Sequence, residues 1–339
     1  MKFILSNDLY AKNGILEEIH LILKDDGFNS PICMVDEGFL SSEYWKIIKK
    51  NLEVQFKHVP VIVVSGKEEP SYDSLREYLL EAKNFNTDII LGIGGGSCMD
   101  VAKAVGGLLN NQGDPIEYRG FDKVINQGVP VYLIPTTAGT GSEASFNASL
   151  VDKDSNKKLG INGINMFAKK SFLDGKTTIS CPRTPAVGAS VDAIVHAMEG
   201  YVCNNSNLFS DMYAEAAIKL MVNSILDLNS DKPSLDHRLN LLKGAYLAGV
   251  VQMNSGSGVA AAISYPLSVY YKVPHGIGGG IFVLGIAKFN EQKGFEKYKN
   301  LYRLIEDPFA DDFLSHMEIL FSKLDVPCDL SAFGITKND

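Results

Sequence analysis

The sequence predicts two domains, an α/β domain over residues 1–181 and an all-helical domain over residues 182–339. Up to about residue 180, short β-branched runs alternate with amphipathic helical stretches, which is typical of βα units around a mostly parallel sheet. After Cys181-Pro182, strand-like runs become scarce and helical periodicity dominates. With 339 residues, 45% of them hydrophobic, the chain can bury a sizeable core.

The elements of both domains can be placed in order along the chain. Apolar runs predict the strands Pro31–Val35, Val61–Val64, Asp88–Ile93 and Val129–Ile134. Apolar residues at helical spacing predict the helices Leu16–Lys24, Ser41–Leu52, Ser71–Ala82 and Ser97–Leu109. A hairpin over Asn147–Gly160 is expected to close the first domain. The second domain is predicted to contain the helices Val187–Val202, Ser210–Leu226, Leu239–Val251 and Phe313–Leu324.

Charge and composition argue against several classes of partner. The chain carries 32 Lys and Arg against 40 Asp and Glu, a net charge of −8, and has no long basic block that would bind nucleic acid or anionic lipid. Gly, Asp or Lys interrupts every apolar run before it reaches the roughly 18 residues of a membrane-spanning helix. No export signal is visible, and the five scattered cysteines predict reduced thiols in a cytoplasmic protein.

A glycine turn directly follows the strand that ends at Ile93 and precedes a helix, and it reads Gly94-Gly95-Gly96-Ser97. Glycine lets the backbone approach a ligand closely, and the helix would offer its amino terminus, so the pattern favours a cradle for phosphate. The spacing differs from the usual G-x-G-x-x-G fingerprint, and an ordinary tight turn is the alternative.

A second polar loop follows the strand that ends at Ile134 and reads Pro135-Thr136-Thr137-Ala138-Gly139-Thr140-Gly141-Ser142-Glu143. Hydroxyls and amides at the carboxyl edge of a parallel sheet can bind phosphate and ribose oxygens, so the two loops together predict one nucleotide crevice. Asp36, after the first strand, is placed to bind an adenosine ribose and repel a 2′-phosphate, which favours NAD over NADP. The alternative for Asp36 is a solvated turn residue.

Three residues of the second domain have the chemistry of a metal site. Asp192 and His196 are four apart in a predicted helix and therefore share a face, where a carboxylate and an imidazole can grip one divalent cation. His275 lies downstream in a glycine-rich turn that can open a helix. Taken alone, these residues are explained better by a helix-face ion pair and an unrelated turn histidine than by a metal site.

The order of the patterns is more specific than any one of them. The glycine cradle, Thr-Thr-Ala-Gly-Thr-Gly-Ser-Glu, Asp-x-x-x-His and Pro-His-Gly in sequence resemble the iron-containing (group III) alcohol dehydrogenases, relatives of glycerol dehydrogenase and dehydroquinate synthase, over about residues 28–339. The resemblance implies an α/β N-terminal dinucleotide-binding domain plus an all-α C-terminal domain, with NAD and a divalent metal, Fe²⁺ or Zn²⁺. It also implies that the residues lining the cofactor are Asp36, Gly95, Gly96, Ser97, Asp100, Thr136, Thr137, Thr140 and Lys158.

Two features depart from the family pattern. Members usually carry His-x-x-x-His-Pro-Leu before the Pro-His-Gly turn, whereas this chain reads Ala261-Ala262-Ile263-Ser264-Tyr265-Pro266-Leu267. Ala261 therefore replaces a ligand histidine of the family, and Tyr265 replaces the histidine linked to proton relay. The chain also ends at Asp339, where relatives continue through further helices, so either the helical domain is trimmed or the sequence is incomplete.

These observations predict an NAD(H)-dependent, metal-assisted alcohol dehydrogenase or aldehyde reductase whose partner is a small primary alcohol or aldehyde. Asp192, His196 and His275 are expected to hold the ion and leave one position open, while hydride passes between the carbinol carbon and nicotinamide. Tyr265 or a cofactor hydroxyl would relay the proton. The candidate catalytic residues are therefore Tyr265 and the ion-binding His275. The assembly is left open, with a homodimer among the options.

Three short segments resemble the family branch that oxidises the 8-hydroxyl of 3-deoxy-octulosonate: Tyr118-Arg119-Gly120-Phe121-Asp122, Lys158-Leu159-Gly160 and Ser264-Tyr265. This resemblance makes a sugar acid one candidate substrate. Two alternatives stay open. Ala261, Tyr265 and the short carboxyl terminus suit a metal-free NAD-binding protein with a regulatory or vestigial role. A lyase resembling dehydroquinate synthase fits less well, because the threonine-rich loop and Asp-x-x-x-His are those of the alcohol branch.

Overall fold

The computed structural model of the protein describes residues 3–5, 7–66, 68–305 and 310–336. Its contacts divide the chain into two compact units. The sheet unit comprises Leu5–Thr137 and Ser142–Cys181, and the helical unit comprises Met1–Ile4, Ala138–Gly141 and Pro182–Asp339. The last three residues of the chain, on which the expectation of a shortened domain rests, lie outside the described residues.

The sheet unit alternates strands and helices. In chain order these are β1 (Asp8–Ala11), α1 (Ile19–Asp25), β2 (Pro31–Asp36), α2 (Glu43–Phe56), β3 (Val61–Val64), α3 (Tyr72–Ala82), β4 (Ile89–Gly94), α4 (Gly96–Leu108), β5 (Gly120–Phe121), β6 (Val131–Pro135), β7 (Asn147–Asp152), β8 (Lys157–Asn162) and β9 (Lys170–Leu173). All four predicted strands and all four predicted helices are present, each within a few residues of its expected position, although the first turn of the Leu16–Lys24 prediction is a 3₁₀ helix.

Six strands form one parallel sheet in the order β1-β9-β6-β4-β2-β3. The register places Met34 of β2 opposite Ile62 of β3 on one side and opposite Gly92 of β4 on the other. A second, three-stranded sheet contains β7 and β8 as an antiparallel pair, which confirms the predicted hairpin. Because the six strands are parallel, their carboxyl ends share one edge of the sheet.

Helices cover both faces of the parallel sheet, which is why its central strands read as continuous apolar runs. On one face, α2 packs Trp45, Ile48 and Leu52 into a cluster with strand residues such as Cys33 and Leu91. On the other face, α3 and α4 pack Leu75, Leu79, Val101 and Val105 against strand residues such as Met34. The chain thus leaves β2 towards one face and leaves the neighbouring β4 towards the opposite face, which makes the gap between these strands a topological switch point.

The helical unit contains six α-helices among its described residues: α5 (Arg183–Val202), α6 (Leu208–Val222), α7 (Leu235–Ser255), α8 (Val259–Tyr271), α9 (His275–Gln292) and α10 (Phe313–Lys323). Asn207 and Ser234 cap α6 and α7 with their side chains, as expected for polar residues at a helix start. The unit has no strand among its described residues, so the all-helical prediction is confirmed. Nowhere in the described part of the chain is a helix both long and apolar enough to cross a membrane.

Candidate functional site

The glycine turn lies at the carboxyl edge of the parallel sheet, at the start of α4. Gly94 must be glycine, because an added Cβ would lie 2.5 Å from the Cβ of Cys98 and 2.8 Å from that of Asp36. The N-cap residue of α4 is Gly95, which has no side chain to accept hydrogen bonds from the first amide groups of the helix. These amides, including those of Gly96 and Ser97, form the kind of helix amino terminus that binds phosphate.

The threonine-rich loop begins beside this turn, as the sequence predicted. The amide of Thr136 donates to the carbonyl of Gly94 at 3.0 Å. An added Cβ on Gly95 would lie 3.4 Å from Oγ1 of Thr137, so Thr137 stands beside the glycine turn. Thr136 is buried and Thr137 is half-buried. The structure therefore brings both predicted loops to one place in the sheet unit.

Asp36 ends β2 and stands at the switch point next to Gly94. Its Oδ1 accepts a hydrogen bond from the amide of Gly38 at 2.9 Å. An added Cβ on Gly66 would lie 3.3 Å from its Oδ2, so the loop after β3 also approaches this carboxylate. Partial burial raises the pKa of Asp36, while hydrogen bonds from Gly38 and Phe39 oppose the shift. Asp36 is thus a partly desolvated acid at the sheet edge.

Two predicted cofactor residues have partners within the protein. Asp100 accepts hydrogen bonds from Oγ of Ser142 at 2.6 Å and from the amide of Ser149 at 2.9 Å. Lys158 forms an ion pair with Glu69 at 2.9 Å. A third residue, Thr140, is exposed and belongs to the Ala138–Gly141 segment of the helical unit. The cofactor roles of these three residues stay predictions, as do those of the residues grouped at the sheet edge.

The candidate metal site lies in the helical unit, where Asp192 and His196 of α5 face the first residue of α9, His275. Oδ1 of Asp192 lies 3.6 Å from Nε2 of His196 and 3.7 Å from Nε2 of His275. Gly276 permits the approach of the two helices, because an added Cβ would lie 2.1 Å from the carbonyl oxygen of Gly188. The predicted opening of a helix at His275 is confirmed.

The donor set fits a divalent ion. One ligand atom from each of Asp192, His196 and His275 lies within 4.8 Å of the others. Their separations exceed the roughly 3.2 Å limit of a good N–H···O hydrogen bond. They match two ligands on one ion, which are about 3.4 Å apart when each metal bond is about 2.1 Å. Asp192 and His196 are buried and His275 is half-buried, so the set is largely shielded from water.

Residues of α8 complete the surroundings of His275. Oγ of Ser264 lies 2.7 Å from Nδ1 of His275, and the Tyr265 ring lies 4.6 Å from the imidazole, centroid to centroid. Tyr265 is 38% exposed, and the proton relay predicted for it stays a prediction. Ala261 is 2% exposed and lies one turn before Ser264.

Glu199 connects α5 to α8. Its carboxylate accepts hydrogen bonds from the amides of Gly258, Ala260 and Ala261 at 2.9, 2.6 and 3.2 Å. These amides begin α8, whose N-cap residue Gly258 supplies no side-chain cap. No role at this site was predicted for Glu199 or Ser264 from the sequence. Glu199 is three residues after His196, so continuing the polar face of α5 by one step was the available signal.

Both halves of the chain match one known protein family. Residues 6–175 match the iron-containing alcohol dehydrogenases, and residues 186–339 match the C-terminal domain of the Fe-containing alcohol dehydrogenase family. The chain belongs to the iron-containing alcohol dehydrogenase family. As an iron-containing alcohol dehydrogenase, it is an oxidoreductase, and the family predicted from the order of the four motifs is confirmed.

Relatives of this iron-containing alcohol dehydrogenase act in small-molecule oxidoreduction. A sulfoacetaldehyde reductase from Bilophila wadsworthia is 31% identical over 281 residues, covering 80% of the chain and 73% of the relative. An NAD-dependent methanol dehydrogenase from Bacillus methanolicus is 27% identical over 292 residues, covering 86% and 76%. The crystal structure of sulfoacetaldehyde reductase from Bifidobacterium kashiwanohense in complex with NAD⁺ has a TM-score of 0.90 at 21% identity, covering 99% of the chain and 89% of that structure. The last comparison shows that the fold is shared.

Proposed function

We propose that the protein is an NAD(H)-dependent, metal-assisted alcohol dehydrogenase or aldehyde reductase for a small primary alcohol or its aldehyde. The observation that carries the proposal is the Asp192, His196 and His275 cluster, whose donor atoms are spaced for one ion in a member of this family. The printed names of the relatives, which include an aldehyde reductase and an NAD-dependent alcohol dehydrogenase, support the same reaction class.

The helical unit would contribute the residues around the reacting oxygen. Asp192, His196 and His275 would hold the ion and leave a coordination position for water or substrate, since three protein ligands are an accepted catalytic arrangement. Such an ion, when bound, polarises the oxygen of the alcohol or aldehyde. Carboxylate and imidazole suit both Fe²⁺ and Zn²⁺, so the donor set does not choose between them. Tyr265, half-exposed beside His275, is the proposed proton relay.

The sheet unit would contribute the cofactor site. The uncapped start of α4 is proposed to bind the pyrophosphate, with Thr136 and Thr137 alongside. Asp36 would accept a hydrogen bond from the adenosine ribose and repel a 2′-phosphate. Bound nicotinamide supplies the hydride or accepts it. Support comes from the position of these residues at the topological switch point, where ligands of open α/β sheets bind.

The finer predictions rest on the sequence. None of the relatives named above is a sugar-acid oxidase, so a 3-deoxy-octulosonate substrate rests on the three sequence details alone. The metal-free alternative rests on Ala261 and Tyr265, and the spacing of the remaining donors argues against it. A cytoplasmic location and a homodimeric assembly also stay predictions from the sequence.

Metal content tests the proposal most directly. The protein purified with added zinc or iron should hold about one ion per chain, and Asp192→Ala should lose it, when measured by elemental analysis. Asp227→Asn is a matched control, because Asp227 and His237 form another aspartate–histidine pair at 3.2 Å in the same unit, outside the cluster. The proposed metal site is wrong if the parent holds no ion or if Asp192→Ala holds as much as the parent.

The cofactor site has its own test. Calorimetry should show NAD(H) binding at least about tenfold more tightly than NADP(H), a difference of about 1.4 kcal/mol. Asp36→Gly should narrow that gap, because it removes the charge that faces the added phosphate. Glu43→Gln is the control, since Glu43 is an exposed carboxylate at the start of α2 that pairs with Lys46. Equal affinities in the parent, or an unchanged gap in Asp36→Gly, would make Asp36 an ordinary turn residue.

A further inference from the structure

Lys103 is a lysine of α4 whose side chain is fully buried. Its ammonium donates to the carbonyl of Ser142 at 2.8 Å, to Oγ of Ser145 at 3.1 Å and to the carbonyl of Asn147. The same ammonium pairs with Oδ1 of Asp100 at 3.1 Å. A lysine ammonium has three protons to donate, and these partners, all within the protein, use them. Lys103 is therefore placed to hold protein segments together and is shielded from direct contact with a ligand.

The partners of Lys103 lie at the far end of the threonine-rich loop. There, Oγ of Ser142 also donates to Asp100 at 2.6 Å. At the near end, the amide of Thr136 donates to the carbonyl of Gly94 at 3.0 Å. Both ends of the loop are thus attached to α4 or to the glycine turn that precedes it. Residues 137–141, which lie between the two attachments, have little freedom to move.

We infer that Lys103 is a positioning residue for the nicotinamide cofactor, because it holds the end of the threonine-rich loop against α4. Without the ammonium, the carbonyls of Ser142 and Asn147 lose a charge-assisted hydrogen bond and the loop can adopt other conformations. Ordering such a loop when the cofactor binds opposes binding, so a loop that is already ordered binds more tightly. The inference rests on the proposed cofactor site, but the attachment of the loop by Lys103 does not.

A second buried lysine of the sheet unit separates positioning from a general structural role. Lys170 is also buried and forms an ion pair with Asp26 at 2.7 Å. It is the first residue of β9, so it lies at the amino edge of the parallel sheet, opposite the edge with the glycine turn. Removing either charge should destabilise the unit, because each leaves a partner carboxylate without its cation. Only the loss of Lys103 should weaken cofactor binding.

Calorimetric titration with NAD(H) tests this difference. Lys103→Met removes the charge and keeps a side chain of similar length, and it should bind NAD(H) about tenfold more weakly than the parent. Lys170→Met is the matched control and should bind NAD(H) like the parent, although urea should unfold both variants more easily. Ser142→Ala is a milder second variant, which removes the hydroxyl bond to Asp100 and leaves both buried lysines in place. It should weaken NAD(H) binding in the same direction, and it carries the test if Lys103→Met does not fold.

Amide exchange in the cofactor-free proteins tests the attachment itself. Exchange over residues 142–149 should be faster in Lys103→Met than in the parent and unchanged there in Lys170→Met. Parental exchange in this segment of Lys103→Met, or equal NAD(H) affinities in Lys103→Met and Lys170→Met, would overturn the inference. A parent that bound no NAD(H) would instead contradict the proposed cofactor site, and the exchange data would still decide whether Lys103 holds the loop.

Discussion

Glu143, the last residue of the threonine-rich loop, and Lys103 of α4 are buried ionisable side chains. The Lys103 ammonium donates to the carbonyl of Ser142 at 2.8 Å and to Oγ of Ser145 at 3.1 Å, and it pairs with Asp100 at 3.1 Å. Lys103 thus holds the loop to α4. Burial raises the pKa of Glu143 to about 7, against the opposing attraction of Lys103. Glu143 therefore changes charge near neutral pH.

Replacing Glu143 by glutamine should change how stability depends on pH. The folded pKa lies above the ordinary value of 4.5, so the contribution of Glu143 is complete below pH 4.5 and is lost as pH rises through about 7. Urea unfolding should show Glu143→Gln gaining about 2–3 kcal/mol relative to the parent between pH 5 and pH 8. The exposed Glu77→Gln should show no such gain. A parallel shift of parent and variant at both pH values would mean that Glu143 does not titrate in this range.

Ala261 stands where the family resemblance implies a ligand histidine. Ala261→His should tighten zinc or iron binding about tenfold or more, because an imidazole would replace water as a ligand. Position 261 is buried, so the new imidazole ring needs free space around it. If the Tyr265 side chain occupies that space, the single variant will not bind metal more tightly. Tyr265→His together with Ala261→His controls for this. If the double variant binds metal no better than the parent and Asp192→Ala leaves metal content unchanged, the metal-free alternative is favoured.

At the scale of elements, the sequence predicts the strands and helices whose buried apolar residues form a continuous run or recur at helical spacing. The strands of the sheet centre are apolar runs and were found, whereas β1 and β9 were missed because each has four residues and β9 begins with Lys170. α8 was missed because Pro266 lies inside it, and of α9 only the opening at His275 was predicted, because its first turns are rich in glycine. Those glycines serve contact between helices, as Gly276 does with α5, rather than a turn.

The candidate site follows the same division. Asp192 and His196 were predictable together because spacing along one helix fixes their common face. That His275 faces them depends on how α9 packs on α5, and the family resemblance rather than the spacing indicated it. Ser264 and Glu199 were not predicted, since each acts through a contact between two helices that are distant in sequence.

The start of α8 should depend on Glu199. Glu199→Ala removes three charge-assisted hydrogen bonds and leaves buried amides without an acceptor, so we expect a loss of about 3 kcal/mol in the free energy of unfolding. Chemical denaturation measures this loss, and amide exchange should locate it at the start of α8. Glu318→Ala is the control, because its exposed pair with Lys288 should contribute at most about 1 kcal/mol. Equal losses in both variants would contradict the capping role.

At the scale of the whole molecule, the proposed metal donors and all the proposed cofactor residues except Thr140 belong to different units. The cofactor contacts of α4, Asp36 and Thr136 belong to the sheet unit, and the three metal donors belong to the helical unit. Each ligand is therefore expected to stabilise mainly the unit that it contacts against local unfolding.

Hydrogen exchange should show this division. Zinc should slow exchange in α5 and the start of α9, whereas NAD should slow it in the loops after β2 and β4. Asp192→Ala should abolish the zinc effect and leave the NAD effect intact. Protection by zinc in the loops after β2 and β4, without protection in α5, would contradict the assignment of the ion to the helical unit.

The Ala138–Gly141 segment has a consequence for how this gene can be recombined. The chain passes from one unit to the other after residues 4, 137, 141 and 181. Gly139 and Gly141 of the segment touch Ala189 and Gly249, so closely that an added Cβ would lie 2.8 and 2.6 Å from these residues. A gene fragment that begins after Cys181 would therefore encode α5 and α7 without the Ala138–Gly141 segment that packs against them. The helical unit cannot be exchanged between homologues as one contiguous cassette, and chimaeras should carry the four-residue segment from the same parent as residues 182–339.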